Sequence, residues 1–192
     1  MPQPTEALTY SYHPRLGGAG VRLALGEDAL EWLVGPREGR LRLADVARLT
    51  LRFLPAKFAS ATFEAEIIGR EGSRLVAASA SRTSLTAVQD QGPEYARFVR
   101  ALHAALVQAG ATVECRGGYG APRWWLMVVL GIVAAFGLAA VVGFTLAQGQ
   151  WSTAGIIALL SVVVGWPTAE TLARNRPLRY RLAAPPAHLL PA

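Results

Sequence analysis

Residues that could do acid–base or metal chemistry are few and widely spaced in this chain. The three histidines, His13, His103 and His188, stand far apart, and none belongs to a metal-binding or nucleophile motif. Glu64 and Glu66 share one face of a predicted strand, a spacing that could suit paired-carboxylate catalysis. Because a basic strand precedes them, we interpret both as cross-strand charge partners. The sequence therefore predicts no catalytic residue, no cofactor and no metal.

The composition also argues against several other classes of function. Cys115 is the single cysteine, so neither an internal disulfide nor a cysteine-cluster metal site can form. This agrees with a reducing compartment. The formal net charge is +6, but no basic helix accompanies the arginines, so we predict no nucleic-acid partner. Residues 1–14 lack the basic and apolar regions of a secretory signal, so the first membrane helix is expected to direct insertion.

Two apolar segments without any Asp, Glu, Lys or Arg predict a transmembrane hairpin at 124–173. They run over 124–147 and 151–169 and are joined by a tip at 148–150. A helix of roughly 20 apolar residues crosses a bilayer. Four tryptophans lie at the predicted ends, where interfacial anchors are expected: Trp124, Trp125, Trp151 and Trp166.

Arginines flank this hairpin on both sides and predict its orientation. Under the positive-inside rule they predict that both termini of a multi-pass membrane protein lie in the cytoplasm. Five of them are expected to contact the anionic membrane surface: Arg123, Arg174, Arg176, Arg179 and Arg181. Glu170 can pair with Arg174 if the second helix continues past Pro167.

Small residues recur at every fourth position of the first membrane helix. These are Gly131, Ala135, Ala139 and Gly143. Such a stripe lets a second helix approach closely. The other arm of the hairpin, a second copy of the chain or a larger membrane complex would each fit it.

Residues 1–115 show the pattern of a β domain closed by a helix. Alternating apolar residues and turn signals over 7–81 predict about seven antiparallel strands. A hairpin centred near Ala56 would place Arg48 opposite Glu64 and Arg52 opposite Ser60. An amphipathic helix is predicted at 93–109, with Pro93 in its first turn and Gly110 as its stop. The predicted fold is α+β, with a barrel or sandwich capped by this helix.

The phrases GEDALEWLVGPREGRLRLADVARLTLRF and DQGPEYARFVRALHAALVQAG make this region resemble the bacterial pleckstrin-homology-like (PH-like) domains. The resemblance covers about residues 7–115. It implies a binding or assembly module rather than an enzyme. The family's lipid-headgroup pocket is not carried over, because the first strand pair offers only Arg15 and Arg22.

These features together predict a non-catalytic adaptor or accessory subunit that binds a protein partner at the inner membrane. The partner would be another membrane protein or a second copy of the chain. The alternative is a sensor of anionic lipid that uses a basic β face formed by Arg40, Arg42, Arg48 and Arg52. A linker is expected at 116–123 and a basic, proline-rich tail at 174–192. The sequence leaves open whether this tail docks on the β domain.

Overall fold

The computed structural model describes residues 8–14, 19–54, 62–82 and 88–191 and has an α+β fold. The strands are β1 (Leu8–Tyr12), β2 (Val21–Leu25), β3 (Ala29–Val34), β4 (Arg37–Arg42), β5 (Val46–Leu54), β6 (Thr62–Gly69), β7 (Arg74–Ala78), β8 (Ala80–Arg82), β9 (Val88–Asp90), β10 (Glu114–Gly117) and β11 (Leu178–Arg179). The helices are α1 (Gly92–Gln108), α2 (Ala121–Ala147) and α3 (Trp151–Arg174).

The strands form three sheets that do not close into a barrel. The first has the order β1-β2-β3-β4, the second β11-β10-β5-β6-β7, and the third pairs β8 with β9. The seven strands predicted over 7–81 correspond to β1 to β7, and their pairings with one another are antiparallel. The structure adds the short strands β8 to β11, which carry too few residues to show an alternating pattern, and β10 runs parallel to β5.

The predicted register of the β5–β6 hairpin was wrong by four residues along β6. Arg52 lies opposite Glu64, and Arg48 lies opposite Ile68. The hairpin centre therefore falls later than Ala56, within 55–61, which is outside the described residues. Turn length sets the register of a hairpin, and the sequence around Pro55 does not reveal that length.

Two tyrosine hydroxyl groups join the first sheet to the second. Tyr10 donates a hydrogen bond to the carbonyl oxygen of Ala78 at 2.5 Å, and Tyr12 donates one to that of Val76 at 2.7 Å. Both rings are buried, and burial raises the pKa of each phenol above its ordinary value. Both acceptors lie on β7, an edge strand, so the tyrosines satisfy carbonyl groups that no neighbouring described strand reaches.

Helix α1 covers the core between the sheets, as its periodicity predicts. Its buried face carries Tyr95, Phe98, Val99, Leu102 and Leu106. The helix ends at Gln108, and Gly110 adopts a φ of 60°, where an L side chain would be strained. The amide of Ala111 then donates back to the carbonyl oxygen of Leu106 at 3.1 Å.

The chain divides into two compact units, and the first is discontinuous in sequence. It comprises the chain up to Gly118 together with the segment from Leu178 onward, while Tyr119–Pro177 forms the second unit. Strand β11 pairs antiparallel with β10, and Leu189 is fully buried in the core. The C-terminal segment thus docks on the β domain and completes its core.

Gly117 makes close packing of this segment possible. A Cβ atom at this position would lie 2.8 Å from Cδ1 of Leu189 and 2.9 Å from Cγ of Leu178. Both distances are too short for a carbon contact, so only glycine lets the two leucines approach β10 this closely.

The second unit is a helical hairpin whose helices are long and apolar enough to cross a membrane. Helix α2 begins three residues before the predicted span, at Ala121, and α3 continues to Arg174, beyond the predicted end at 169. As expected for a helix that continues past Pro167, Glu170 and Arg174 form an ion pair at 2.9 Å.

We expect the substitution Leu189→Ala to lower the free energy of unfolding by about 2–4 kcal/mol, since it leaves a cavity in the core beside β5. Thermal unfolding of the full chain in mild detergent measures this loss. The matched control is Val107→Ala, because Val107 is 47% exposed on α1. That substitution should change stability by less than about 0.5 kcal/mol. Equal losses for the two variants would contradict burial of the C-terminal segment.

Candidate functional site

A groove of about 480 Å³ lies on the outer face of the first sheet, where β2, β3 and β4 are neighbours. The register places Leu33 between Arg22 on β2 and Glu38 on β4. In the next row Glu31 lies between Ala24 and Arg40. Leu33 is 40% exposed, so an apolar side chain lies open to solvent between a cation and an anion.

Trp32 lies between Glu31 and Leu33 on β3, so strand alternation places its side chain on the opposite, core-facing side of the sheet. Gly39 is its cross-strand partner, and a Cβ atom there would lie 2.5 Å from Cζ2 of the indole. The glycine therefore leaves room for the ring to lie over β4. The ring is half-buried and packs partly on the core beneath the groove.

Several charged groups of this groove have no charge partner. Arg22, Glu31 and Glu38 form no ion pair with any residue that the structure describes. Arg40 pairs with Asp28 at 2.7 Å, at an exposed position. The groove therefore offers both signs of charge around an exposed leucine, a combination suited to contact with a protein surface.

The outer face of the second sheet, in contrast, satisfies its charges internally. Arg52 contacts Glu66 at 2.6 Å, and Arg74 binds the other oxygen of the same carboxylate. Glu66 is only 7% exposed, since the two arginine side chains cover it. Its pairing with Arg52 confirms the interpretation of Glu66 as a cross-strand charge partner.

Glu114 on β10 is the second centre of charge on this face. It accepts hydrogen bonds from Arg116 at 2.6 Å and from Arg48 at 2.9 Å, and Arg179 lies 3.7 Å away. The bonds from Arg116 and then from Arg48 hold the pKa of this carboxyl below its ordinary value. Arg48, which had been expected opposite Glu64, thus pairs across β5 and β10 instead.

The four arginines of the predicted basic face do not form one free patch. Arg40 and Arg42 lie on β4 and pair with Asp28 and Asp45, while Arg48 and Arg52 lie on β5 and pair with Glu114 and Glu66. Each guanidinium therefore lies within 2.9 Å of a carboxylate oxygen.

The predicted membrane-surface arginines divide between the two units. Arg123, Arg174 and Arg176 lie at the open end of the helical hairpin, whereas Arg179 and Arg181 lie on the C-terminal segment of the β domain. Of the predicted interfacial anchors, Trp125, Trp151 and Trp166 are exposed, as lipid-facing residues would be. Trp124 is half-buried and donates a hydrogen bond from Nε1 to the carbonyl oxygen of Leu172 at 2.8 Å.

The small-residue stripe of α2 faces α3 only at its start. A Cβ atom on Gly131 would lie 3.8 Å from Cδ1 of Leu172, whereas one on Gly143 would meet nothing within 4 Å. Ala135 and Ala139 are exposed. A fourfold spacing drifts around an α-helix by about 40° per step, so the stripe leaves the inter-helix face toward the tip.

The residues considered for catalysis do not lie together in one site. His13 and His188 are exposed, Cys115 is buried as a free thiol, and Glu64 lies on β6 beside Arg52. Burial raises the pKa of Cys115. Burial also raises the pKa of Glu64, and Arg52 partly opposes that effect. Within the described ranges, no three His, Cys, Asp or Glu residues lie close enough together to hold a metal ion.

His103 is buried on α1. Its Nδ1 lies 2.7 Å from the carbonyl oxygen of Val99, and its Nε2 lies 3.2 Å from the hydroxyl group of Tyr180. The carbonyl can only accept, so Nδ1 carries the proton and Nε2 accepts from the tyrosine. The sequence could not predict this burial, because the covering residue follows the membrane hairpin.

No protein-family model, curated protein or solved structure matches this chain.

The groove was not predicted from the sequence, where arginines were the candidate contact residues of the β domain. The available signal was Leu33, an apolar residue at a position of β3 where the alternation calls for a polar one.

The stability of the β domain should fall as the pH is lowered through about 6.5, the ordinary pKa of histidine. Burial lowers the pKa of His103 in the folded chain, and its bond to Val99 opposes this only in part. The unfolded chain therefore binds the proton more readily, and protonation favours unfolding. Thermal unfolding between pH 8 and pH 5 should show less of this decline in His103→Gln than in His188→Gln, whose histidine is exposed. An identical pH profile in the two variants would contradict the assignment.

Proposed function

We propose that this chain is a non-catalytic adaptor or accessory subunit, with a PH-like β domain held at the cytoplasmic face of a bacterial inner membrane by a two-helix hairpin. The groove around Leu33 is the observation that carries this proposal. Its occupant would be a protein segment with one apolar side chain for Leu33, an acid facing Arg22 and a base facing Glu38.

The division of charge between the two sheets supports this choice of surface. Desolvating a charge that already has a partner costs free energy and gains no new contact, as at Glu66 and Glu114. Arg22 and Glu38 gain partners when a complementary surface covers them. The first sheet is thus the better docking face, although the second carries more arginines.

The hairpin supports a location at a membrane. The two exposed apolar helices need a nonpolar environment, and the arginines at their open end favour the cytoplasmic side. The N-terminal strands and the C-terminal segment belong to one compact unit, so both termini would lie on the same side. A membrane tether raises the effective concentration of the domain for membrane-bound partners.

The alternative, a lipid sensor that uses the basic β face, has less support. Arg40, Arg42, Arg48 and Arg52 each pair with a carboxylate, which reduces the field they could exert on a membrane. That function would require binding that weakens steeply with salt.

The substitution Leu33→Arg tests the adaptor function. Full-length tagged protein is cross-linked in its own membranes and purified in mild detergent, and its native mass and cross-linked peptides are determined by mass spectrometry. We expect a stoichiometric partner whose cross-links map to β2–β4, and an affinity reduced about thirtyfold or more by Leu33→Arg.

Val107→Arg is the matched control, because it places the same charge at an exposed apolar position on α1. This variant should keep the partner. Recovery of the wild-type chain alone, or equal loss in both variants, would contradict partner binding at the groove.

A further inference from the structure

The open end of the helical hairpin is held together by two hydrogen bonds. The amide of Tyr119 donates to the carbonyl oxygen of Asn175 at 3.1 Å, and the indole of Trp124 donates to that of Leu172 at 2.8 Å. These bonds join the residues just before α2 to the end of α3. We call this region the hairpin base and define it as residues 119–124 and 172–176.

Two guanidinium groups of the hairpin base lie on aromatic rings. Cζ of Arg123 is 4.7 Å from the centroid of the Tyr119 ring, and Cζ of Arg176 is 6.0 Å from that of Trp124. Both arginines are exposed, and neither forms an ion pair with a described residue. Stacking on a ring occupies the face of a guanidinium and leaves its N–H edge free to donate.

These contacts place both cations in the hairpin base. Arg123 lies over Tyr119, whose amide is bonded to Asn175, the neighbour of Arg176. Arg176 in turn lies 6.0 Å from the ring centroid of Trp124, the neighbour of Arg123. The hairpin base therefore carries two guanidiniums with no described carboxylate partner, a composition suited to an anion with several acceptor oxygens.

The surroundings define the chemistry of that anion. The exposed residues that follow along α2 are apolar, among them Trp125, Leu126, Val129 and Leu130. A ligand that fits both the guanidiniums and this apolar surface has a phosphate group at one end and hydrocarbon at the other. We propose that the hairpin base binds the headgroup phosphate of one anionic phospholipid, with Arg123 and Arg176 as donors and the acyl chains along α2.

This proposal rests on the membrane-spanning part of the proposed function and is independent of the groove. General attraction of arginines to an anionic surface is the competing explanation. Arg174 separates the two explanations, since it lies in the same region but already pairs with Glu170 at 2.9 Å. General attraction depends on the number of charges, whereas a site depends on which arginines carry them.

Native mass spectrometry of the full chain from nanodiscs tests the proposal. The nanodiscs contain equal amounts of phosphatidylglycerol and phosphatidylcholine. We expect the wild-type chain to retain one phosphatidylglycerol, and the double variant Arg123→Gln/Arg176→Gln to retain at least about tenfold less. The control Arg174→Gln/Arg181→Gln removes the same number of charges and should keep the lipid.

Three results would overturn the site. These are equal retention of the two lipids by the wild-type chain, unchanged retention in the first double variant, and equal loss in both double variants. Equal melting temperatures of the variants show that loss of lipid does not reflect unfolding. Excess glycerol phosphate, which has no acyl chain, should not displace the lipid. Displacement would assign the site to free phosphate and contradict recognition of a phospholipid.

Discussion

The pairing of β10 with β11 is the contact on which the rest of this structure depends. Residues 118–120 connect β10 to the first apolar helix, and residues 175–177 connect the second to β11. The whole hairpin is therefore an insertion between two hydrogen-bonded strands. The core includes Leu189, which follows the hairpin in sequence, so residues on both sides of the hairpin are needed to complete it. Such non-local pairing carries a closure cost, and an antiparallel helix pair that brings its own ends together reduces that cost.

The charged residues of the β domain are paired differently on its two larger sheets, and this difference indicates which sheet is suited to bind a partner. On the second sheet Glu66 and Glu114 each form ion pairs with two or more arginines, so the charges of this face are neutralised without a partner protein. On the first sheet Arg22 and Glu38 lie beside an exposed leucine and form no ion pair with a described residue. Internal pairing is favourable where a surface stays in water, whereas unpaired charges around an apolar centre gain most when a complementary surface covers them.

The sequence predicted what local patterns can encode. The periodicity of α1, its stop at Gly110 and the two apolar segments all correspond to helices of the structure. The missed features depend on contacts distant in sequence. Arg48 pairs with Glu114 through a parallel strand, and Tyr180 covers His103 only after the chain has returned from the hairpin. The proline-rich ending around Leu189 has no periodicity, so nothing local marks that residue as core.

The most direct test of this account is a cross-link between β10 and β11 in native membranes. Arg116 and Arg179 lie opposite each other, at a Cα distance of about 4.5–5.5 Å for an antiparallel pair. Cysteines at these two positions, with Cys115 replaced by serine, meet the distance requirement of a disulfide. The account predicts rapid and nearly complete cross-linking of Arg116→Cys with Arg179→Cys and little cross-linking of Arg116→Cys with His188→Cys. Equal and slow cross-linking of both pairs would show that the C-terminal segment does not complete the β domain, and would contradict the account.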